Sequence, residues 1–274
     1  MADKEIHLRE YQNGDEKQIS HLFFNNFPDT LKLEEICQTW LWQFQNDFSK
    51  SSGVSVADLS GEIIAHYAVM WFPMCSQGKN VEGAISTATV TDVKARGKGL
   101  FTKLAKKVFK ETELDGCRIV FGFPNSQSIK GFIKYLEWFE VAKFPLLIKP
   151  VDFSPFLNTF LNNKLVSGSL GFLFNVTYSF CLKVTRGWSR KSGIEITESS
   201  EGFTDDVNQI WKSSFASKKT AVSREHAFLK WRYLDKPFSD YHIVKAVNEE
   251  KRTVGVLVTA LAEKKGLNVV YVME

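Results

Sequence analysis

Residues Thr87 to Glu111 read TATVTDVKARGKGLFTKLAKKVFKE. A β-branched run extends to Val93, Arg96-Gly97-Lys98-Gly99 interrupts it, and helix-forming residues follow at once. The pattern is strand, glycine turn, helix, and the turn holds two glycines and two cations but no acid. In the helix, Phe101, Leu104, Ala105 and Val108 stand at i, i+3, i+4 and i+7, with Lys103, Lys106, Lys107 and Lys110 largely opposite. Such a helix lays its apolar stripe on a sheet and its basic face in water. A helix N-terminus presents unpaired N–H groups and the positive end of a dipole, so glycines that let the backbone come close make it a phosphate site. Two other phosphate loops are excluded. The Walker spacing is absent, and a dinucleotide fingerprint needs glycine where Thr102 stands.

Upstream, His7–Tyr11 reads as a short strand, Asp15–Phe27 as a helix and Leu33–Phe48 as a second helix. Val54–Asp58, Glu62–Phe72 and Val81–Val93 read as three meander strands, with Leu59-Ser60-Gly61 as a hairpin turn. Downstream, a strand is expected over Arg118–Phe123, a helix over Ser126–Trp138 and a last strand over Glu140–Ile148. His66 and Tyr67 fall on opposite faces of one strand, so one faces the substrate side, although a structural histidine is the better reading. Trp40, Trp42, Trp71 and Trp138 read as core.

The remainder repeats the beginning. Asp15–Phe27 matches Phe203–Phe215 at an offset of 188, and Trp42-x-Phe44 matches Trp231-x-Tyr233 at 189. Ile194–Thr197, Tyr241–Val247 and Thr253–Leu261 answer the first three strands, so residues 194–274 should repeat the order strand, helix, helix, strand, strand. By this offset the counterpart of Arg96 falls near position 285, beyond Glu274. Either the sequence is a fragment or the second unit is incomplete by nature, and an exposed edge strand is expected near Val269–Met273 that invites another chain.

With 274 residues and 44% hydrophobic content, the chain can bury one large core or two ordinary ones. Thirty-five Lys and Arg against thirty-one Asp and Glu give a net charge of +4, too mild and dispersed to imply a nucleic-acid partner. Cys37, Cys75, Cys117 and Cys181 lie 38, 42 and 64 residues apart, which suits neither zinc nor a disulfide framework. They read as reduced core thiols of a cytoplasmic protein, and no metal site is expected. The polar start, Met1 to Glu5, carries no signal-peptide pattern. Leu165–Leu182 is an eighteen-residue stretch without charge, but its three serines, two glycines, Asn175 and Thr177 argue for a buried connecting segment over a membrane span.

Val93 to Leu100, at a strand-to-helix junction after three meander strands, resembles the acetyl-CoA pyrophosphate loop of the GNAT acyltransferase superfamily, R/Q-x-x-G-x-G/A. Phe101 replaces the final small residue, and Gly97 can move the close approach upstream. Gly122-Phe123-Pro124-Asn125, followed by Ile133 to Trp138, resembles the family's Asn-initiated helix with its lysine, leucine, glycine, aromatic ending, Glu137 standing for the glycine. The resemblance covers about residues 5–150, and 191–274 as an incomplete second copy.

It implies an α/β fold with a GNAT-like mixed, mainly antiparallel sheet flanked by helices, followed by a partial second unit. The divisions would be a catalytic acyl-CoA-binding domain over 1–150, an apolar connector over 151–190 and a partial domain over 191–274. It implies acetyl-CoA as co-substrate and direct attack of an amine on the thioester. Arg96, Gly97, Lys98 and Gly99 would hold the pyrophosphate, flanked by Thr91, Val93, Leu100 and Phe101, while Asn125 would cap its helix or bind the pantetheine arm. A backbone N–H at Thr91 or Asp92 would polarise the thioester, freed by a bulge over Thr91-Asp92-Val93.

The position often held by a tyrosine acid falls on Phe132 or Ile133, so Tyr135 is the nearest hydroxyl and should point away. The position of a carboxylate base is taken by Ile85 and Ser86, with Glu82 a turn of strand earlier. Positioning and backbone polarisation are then expected to carry the rate, and Tyr135→Phe to cost turnover less than about tenfold, against about 10²–10⁴ for a true general acid. The expected acceptor is a small-molecule amine, an amino sugar by family analogy. The alternatives are a non-catalytic acyl-CoA-binding tandem scaffold and, because tandem folds also occur in tRNA-dependent aminoacyl transfer, an enzyme of that kind. The weak basicity counts against the last.

Overall fold

The computed structural model describes residues 5–28, 31–50, 53–158, 161, 164–189, 193–199, 202–214, 220–264 and 266–274. The chain forms two compact units, one from residues 1–140 with 208–239 and one from 141–207 with 240–274. These divisions do not follow boundaries at 150 and 190, because part of the C-terminal half belongs with the first sheet.

In the first unit, β1 (Ile6–Glu10) precedes α1 (Asp15–Asn26) and α2 (Leu33–Phe44). Then come β2 (Val54–Leu59), β3 (Glu62–Ser76), β4 (Lys79–Thr91), α3 (Leu100–Leu114), β5 (Cys117–Gly122) and α4 (Ile129–Leu136). The sheet order is β1-β2-β3-β4-β5, antiparallel except for the parallel β4–β5 pair that the α3 crossover requires. The β2–β3 turn is Ser60-Gly61 with φ of 57° and 88°, the left-handed pair of a tight hairpin. Because β3 is buried along most of its length, its side chains alternate between two apolar layers. His66 faces Phe23, Trp40 and Phe44 of α1 and α2, and Tyr67 faces Phe101 and Phe109 of α3.

The stripe anticipated on α3 is the buried one. Leu104, Ala105 and Val108 sit in a core with Ala57, Ala65, Tyr67, Val69 and Trp71. Ala65, Tyr67, Val69 and Trp71 alternate along β3, so pattern and packing agree.

The C-terminal half adds α5 (Phe153–Asn158), α6 (Lys164–Ser189), β6 (Glu195–Glu198), α7 (Asp206–Ser214), β7 (Ala221–Val222), α8 (His226–Leu229) with a π-turn over Lys230–Leu234, β8 (His242–Val247), β9 (Thr253–Lys264) and β10 (Leu267–Val272). β7 pairs with β3 at Met74 and Cys75 and so extends the first sheet. Below it, Trp42 and Trp231 stack at 4.8 Å and 14°. Each indole N–H donates to the other residue's carbonyl, at 2.9 and 3.1 Å. The two residues matched by the 189-residue offset thus bond to each other reciprocally.

The second unit holds an antiparallel sheet ordered β10-β9-β8-β6, the same succession of pairings as β4-β3-β2-β1. β10 is an edge strand, as expected for Val269–Met273, and Val270 and Val272 are exposed.

Three expectations are corrected. Residues 140–148 form no strand: Phe144, Leu146 and Leu147 are largely exposed, and among the described residues no strand pairs with this segment. An apolar run becomes a strand only where a neighbour accepts its N–H and C=O groups. Leu165–Leu182 is an exposed helix, not a buried connector, with Leu165, Phe172 and Phe180 open to solvent. Its apolar residues are spread round the helix, and α5 covers a part of it, where Phe153 meets Phe174 and Tyr178. Among the described residues no helix is long and apolar enough to cross a membrane. Of the four cysteines only Cys75 and Cys117 are buried, while Cys181 is exposed on α6.

Candidate active site

β4 pairs with β3 along its length but with β5 only from Glu82 to Ser86, so beyond Ser86 the sheet splits. In the split, β4 bulges. Ala68 pairs with Thr87 and His66 with Val90, which sets Ala88 and Thr89 together against Tyr67 alone, and Ala88 takes a φ of 49°. The bulge therefore lies at Ala88–Thr89, not over Thr91-Asp92-Val93. No glycine marks it. Its support comes from the strand beneath.

That support is His66, which is fully buried. The Trp40 indole N–H donates to His66 Nε2 at 3.2 Å, so the proton of the neutral ring is on Nδ1, which donates to the Ala88 carbonyl at 2.6 Å. Burial pushes the histidine pKa down to about 4, although the Ala88 carbonyl favours the charged form. His66 is thus a neutral strut for the bulge, which settles the sequence-level choice in favour of a structural histidine. Tyr67, on the other face, is pushed up by burial, and its hydroxyl is shared with Ser86 at 2.7 Å.

Of the two amides considered for thioester polarisation, the ladder takes one. Asp92 N–H donates to the Ile64 carbonyl at 2.9 Å, so it is spent on the sheet. In an antiparallel ladder alternate residues donate to the same neighbour. The N–H of Thr91 therefore points to the opposite edge of β4, into the split that β5 has left. Asp92 serves the loop instead: its carboxylate accepts from Lys94 N–H at 2.7 Å and starts the 3-10 turn Val93–Ala95.

Beyond that turn Gly97 and Gly99 have φ of 81° and 71°, and a Cβ at either would meet nothing within 4 Å. Backbone conformation, not crowding, requires glycine here. Gly99 caps α3 without a side-chain bond, and the first intrahelical bond runs from Lys103 N–H to its carbonyl. The N–H groups of Leu100, Phe101 and Thr102 consequently have no acceptor within the helix, and the first turn carries no acid.

Leu100 is buried. Phe101 turns its ring into the core against Tyr67 and Phe132, so the bulky residue in the small-residue position stays clear of the loop. Gly131 makes the room, since a Cβ there would come within 3.2 Å of the Phe101 ring. Arg96 donates to Asn26 Oδ1 at 3.2 Å and Lys98 is exposed, while the Val93 side chain points to solvent.

The other expected residues take structural positions. Asn125 Oδ1 accepts from Gln127 N–H, Ser128 N–H and Ser128 Oγ–H at 2.9–3.0 Å, which closes a turn ahead of α4, whose N-cap is Ser128. Tyr135 is half-exposed with the Lys134 ammonium 5.3 Å from its ring centre, and Phe132 is the residue of α4 that enters the core. Glu82 lies 4.0 Å from Lys50. The residue that sequence reasoning missed as part of the site is Ala88, because a bulge at alanine inside Thr-Ala-Thr-Val-Thr leaves no compositional mark.

The geometry agrees with the comparisons. Residues 7–135 match the acetyltransferase (GNAT) domain family, so this stretch of the chain is a GNAT domain. A probable N-acyltransferase from Enterococcus faecalis shares the fold over 94% of the chain with a TM-score of 0.60 at 10% identity. The chain spans about half of that protein's length, 55%. A predicted acetyltransferase from Clostridium acetobutylicum, solved with acetyl-CoA, matches 53% of the chain and 96% of its own at 15% identity and a TM-score of 0.44. A glucosamine-6-phosphate N-acetyltransferase from Arabidopsis thaliana matches 53% and 99% at 15% identity and a TM-score of 0.41. No curated protein matches the sequence.

Proposed function

We propose that the first unit transfers an acetyl or short acyl group from CoA to the amine of a small molecule, in the cytoplasm. The observation that carries this reading is the conjunction on one strand: Thr91 N–H turned into the β4–β5 split, followed within nine residues by the bare N-terminus of α3 behind Gly97 and Gly99. A thioester whose pyrophosphate rests on Leu100, Phe101 and Thr102 N–H groups, with Arg96 and Lys98 beside it, has its arm directed along the split.

The amine nitrogen attacks the thioester carbon, the C–N bond forms and the oxygen gains charge that Thr91 N–H holds. The C–S bond then breaks and the CoA thiolate leaves. The nitrogen gives its proton to water and the thiolate takes one from water, because Phe132 has no proton to donate and Ser86 is engaged by Tyr67. We further propose that residues 194–274 belong to a second copy of the fold, supported by the reciprocal Trp42–Trp231 pair and the repeated strand succession.

The test is thiol release from acetyl-CoA across a panel of amines. Release that depends on the amine supports transfer. CoA binding without release with any amine supports the rival reading, a ligand-binding scaffold.

A further inference from the structure

Between α1, α2 and the bulge lies a cavity of about 300 Å³, lined by Phe23, Phe27, Leu31, Ile36, Trp40 and Ala88 together with Thr39 and Gln43. That volume is at the lower end of small-molecule pockets, about 300–1,000 Å³. No charged side chain lines it, and Thr39 and Gln43 are its two polar ones. Ala88 belongs both to the cavity wall and to the bulge, three residues from Thr91, or about 10 Å along a strand.

We propose that this cavity selects the acceptor, and that the acceptor is an amine carried on an aromatic or branched apolar body. The proposal rests on the transferase reading above and names its substrate class. A sugar ring would bring hydroxyls all round its edge to a wall that is apolar except at Thr39 and Gln43, and each hydroxyl left unpaired is penalised. An ammonium buried here would find no counter-charge, so the apolar body enters and the amine stays outside, toward the split. A short carbon arm between ring and nitrogen spans from the wall at Ala88 toward Thr91. The His66 strut, packed under Trp40 and bonded to Ala88, fixes the wall that the body meets.

Two readouts keep the proposal separable from the transferase reading: thiol release with 2-phenylethylamine, isoamylamine, glucosamine and spermidine, and calorimetric binding of 2-phenylethylamine without acetyl-CoA. Thr39→Trp fills the cavity, and Phe27→Ala, at a half-exposed lining position, removes part of its wall without adding bulk. We expect kcat/KM at least about tenfold higher for 2-phenylethylamine than for glucosamine or spermidine. We expect Thr39→Trp to lower it at least about tenfold, and Phe27→Ala to lower it severalfold, with CoA affinity unchanged. A preference for the polar amines, or 2-phenylethylamine turnover indifferent to both variants, overturns the proposal and leaves the transferase reading standing. If CoA binds and no amine turns over, the transferase reading fails. Calorimetry then decides the pocket: binding abolished by Thr39→Trp supports it, and no binding to the unaltered protein overturns it.

Discussion

Neutral His66 holds the bend of β4 from beneath, and its protonation is opposed by geometry as well as by burial. A proton on Nε2 would face the Trp40 N–H, donor against donor. The folded pKa of about 4 lies below the ordinary 6.5, so the unfolded chain binds the proton more readily. Stability from this residue is complete above pH 6.5 and falls as pH drops from 6.5 toward 4, by roughly 3 kcal/mol at about 1.36 kcal/mol per unit. Asp15 and Glu16 are held below their usual values, the first by Arg9 and the second by Tyr11, each against the opposing effect of burial, and they titrate only at lower pH. Thermal denaturation should therefore show a falling Tm between pH 6.5 and 4.5 that His66→Phe removes. An unchanged slope in the variant would mean that His66 is not buried neutral. None of this was legible in the sequence beyond a histidine on a strand. The ring's role depends on Trp40, twenty-six positions away, and on a carbonyl freed by a bulge.

Elements were legible where period and turn chemistry agreed. The glycine turn and the α3 stripe are found where the pattern put them, since left-handed glycines and i, i+3, i+4 spacing are local properties. The strand expected over 140–148 and the buried connector over 165–182 failed because both depend on partners that a local pattern does not specify. At the end of α4, Glu137 occupies the place of the family's glycine and has a φ of 58°. A residue with a Cβ is disfavoured there by about 1–2 kcal/mol. Glu137→Gly should raise stability by about 1 kcal/mol in urea denaturation, with little change in CoA binding. A loss of stability would show that the Glu137 side chain makes a contact worth more than the strain.

Across the molecule, the match of Trp42 to Trp231 shows that a weak repeat in sequence can mark a physical contact. Phe48, Phe72 and Phe228 ring the same pair, and β7 extends the first sheet beside them. Trp231→Ala removes one ring of the stack and leaves the Trp42 side of it facing a void. It should cost about 3–5 kcal/mol in denaturant unfolding of the first unit. A cost under about 1 kcal/mol would mean that residues 208–239 contribute little to it, and that a boundary at 150 is the better division. The offset was readable because a Trp-x-aromatic pair stands at both positions. That its members would face each other was not, because a sequence offset carries no direction in space.

The site as a whole stands on the α3 N-terminus as an anion receptor, and calorimetry of CoA against the unaltered protein, Gly99→Ala and Gly99→Glu tests that most directly. Both variants pay the left-handed backbone strain at φ 71°, about 1–2 kcal/mol, without a steric clash. Only Gly99→Glu brings negative charge to the N–H groups that should meet the pyrophosphate. The account predicts CoA binding to the unaltered protein, weakened binding to Gly99→Ala and none detectable to a folded Gly99→Glu. Equal affinity in all three would place CoA elsewhere and contradict the account.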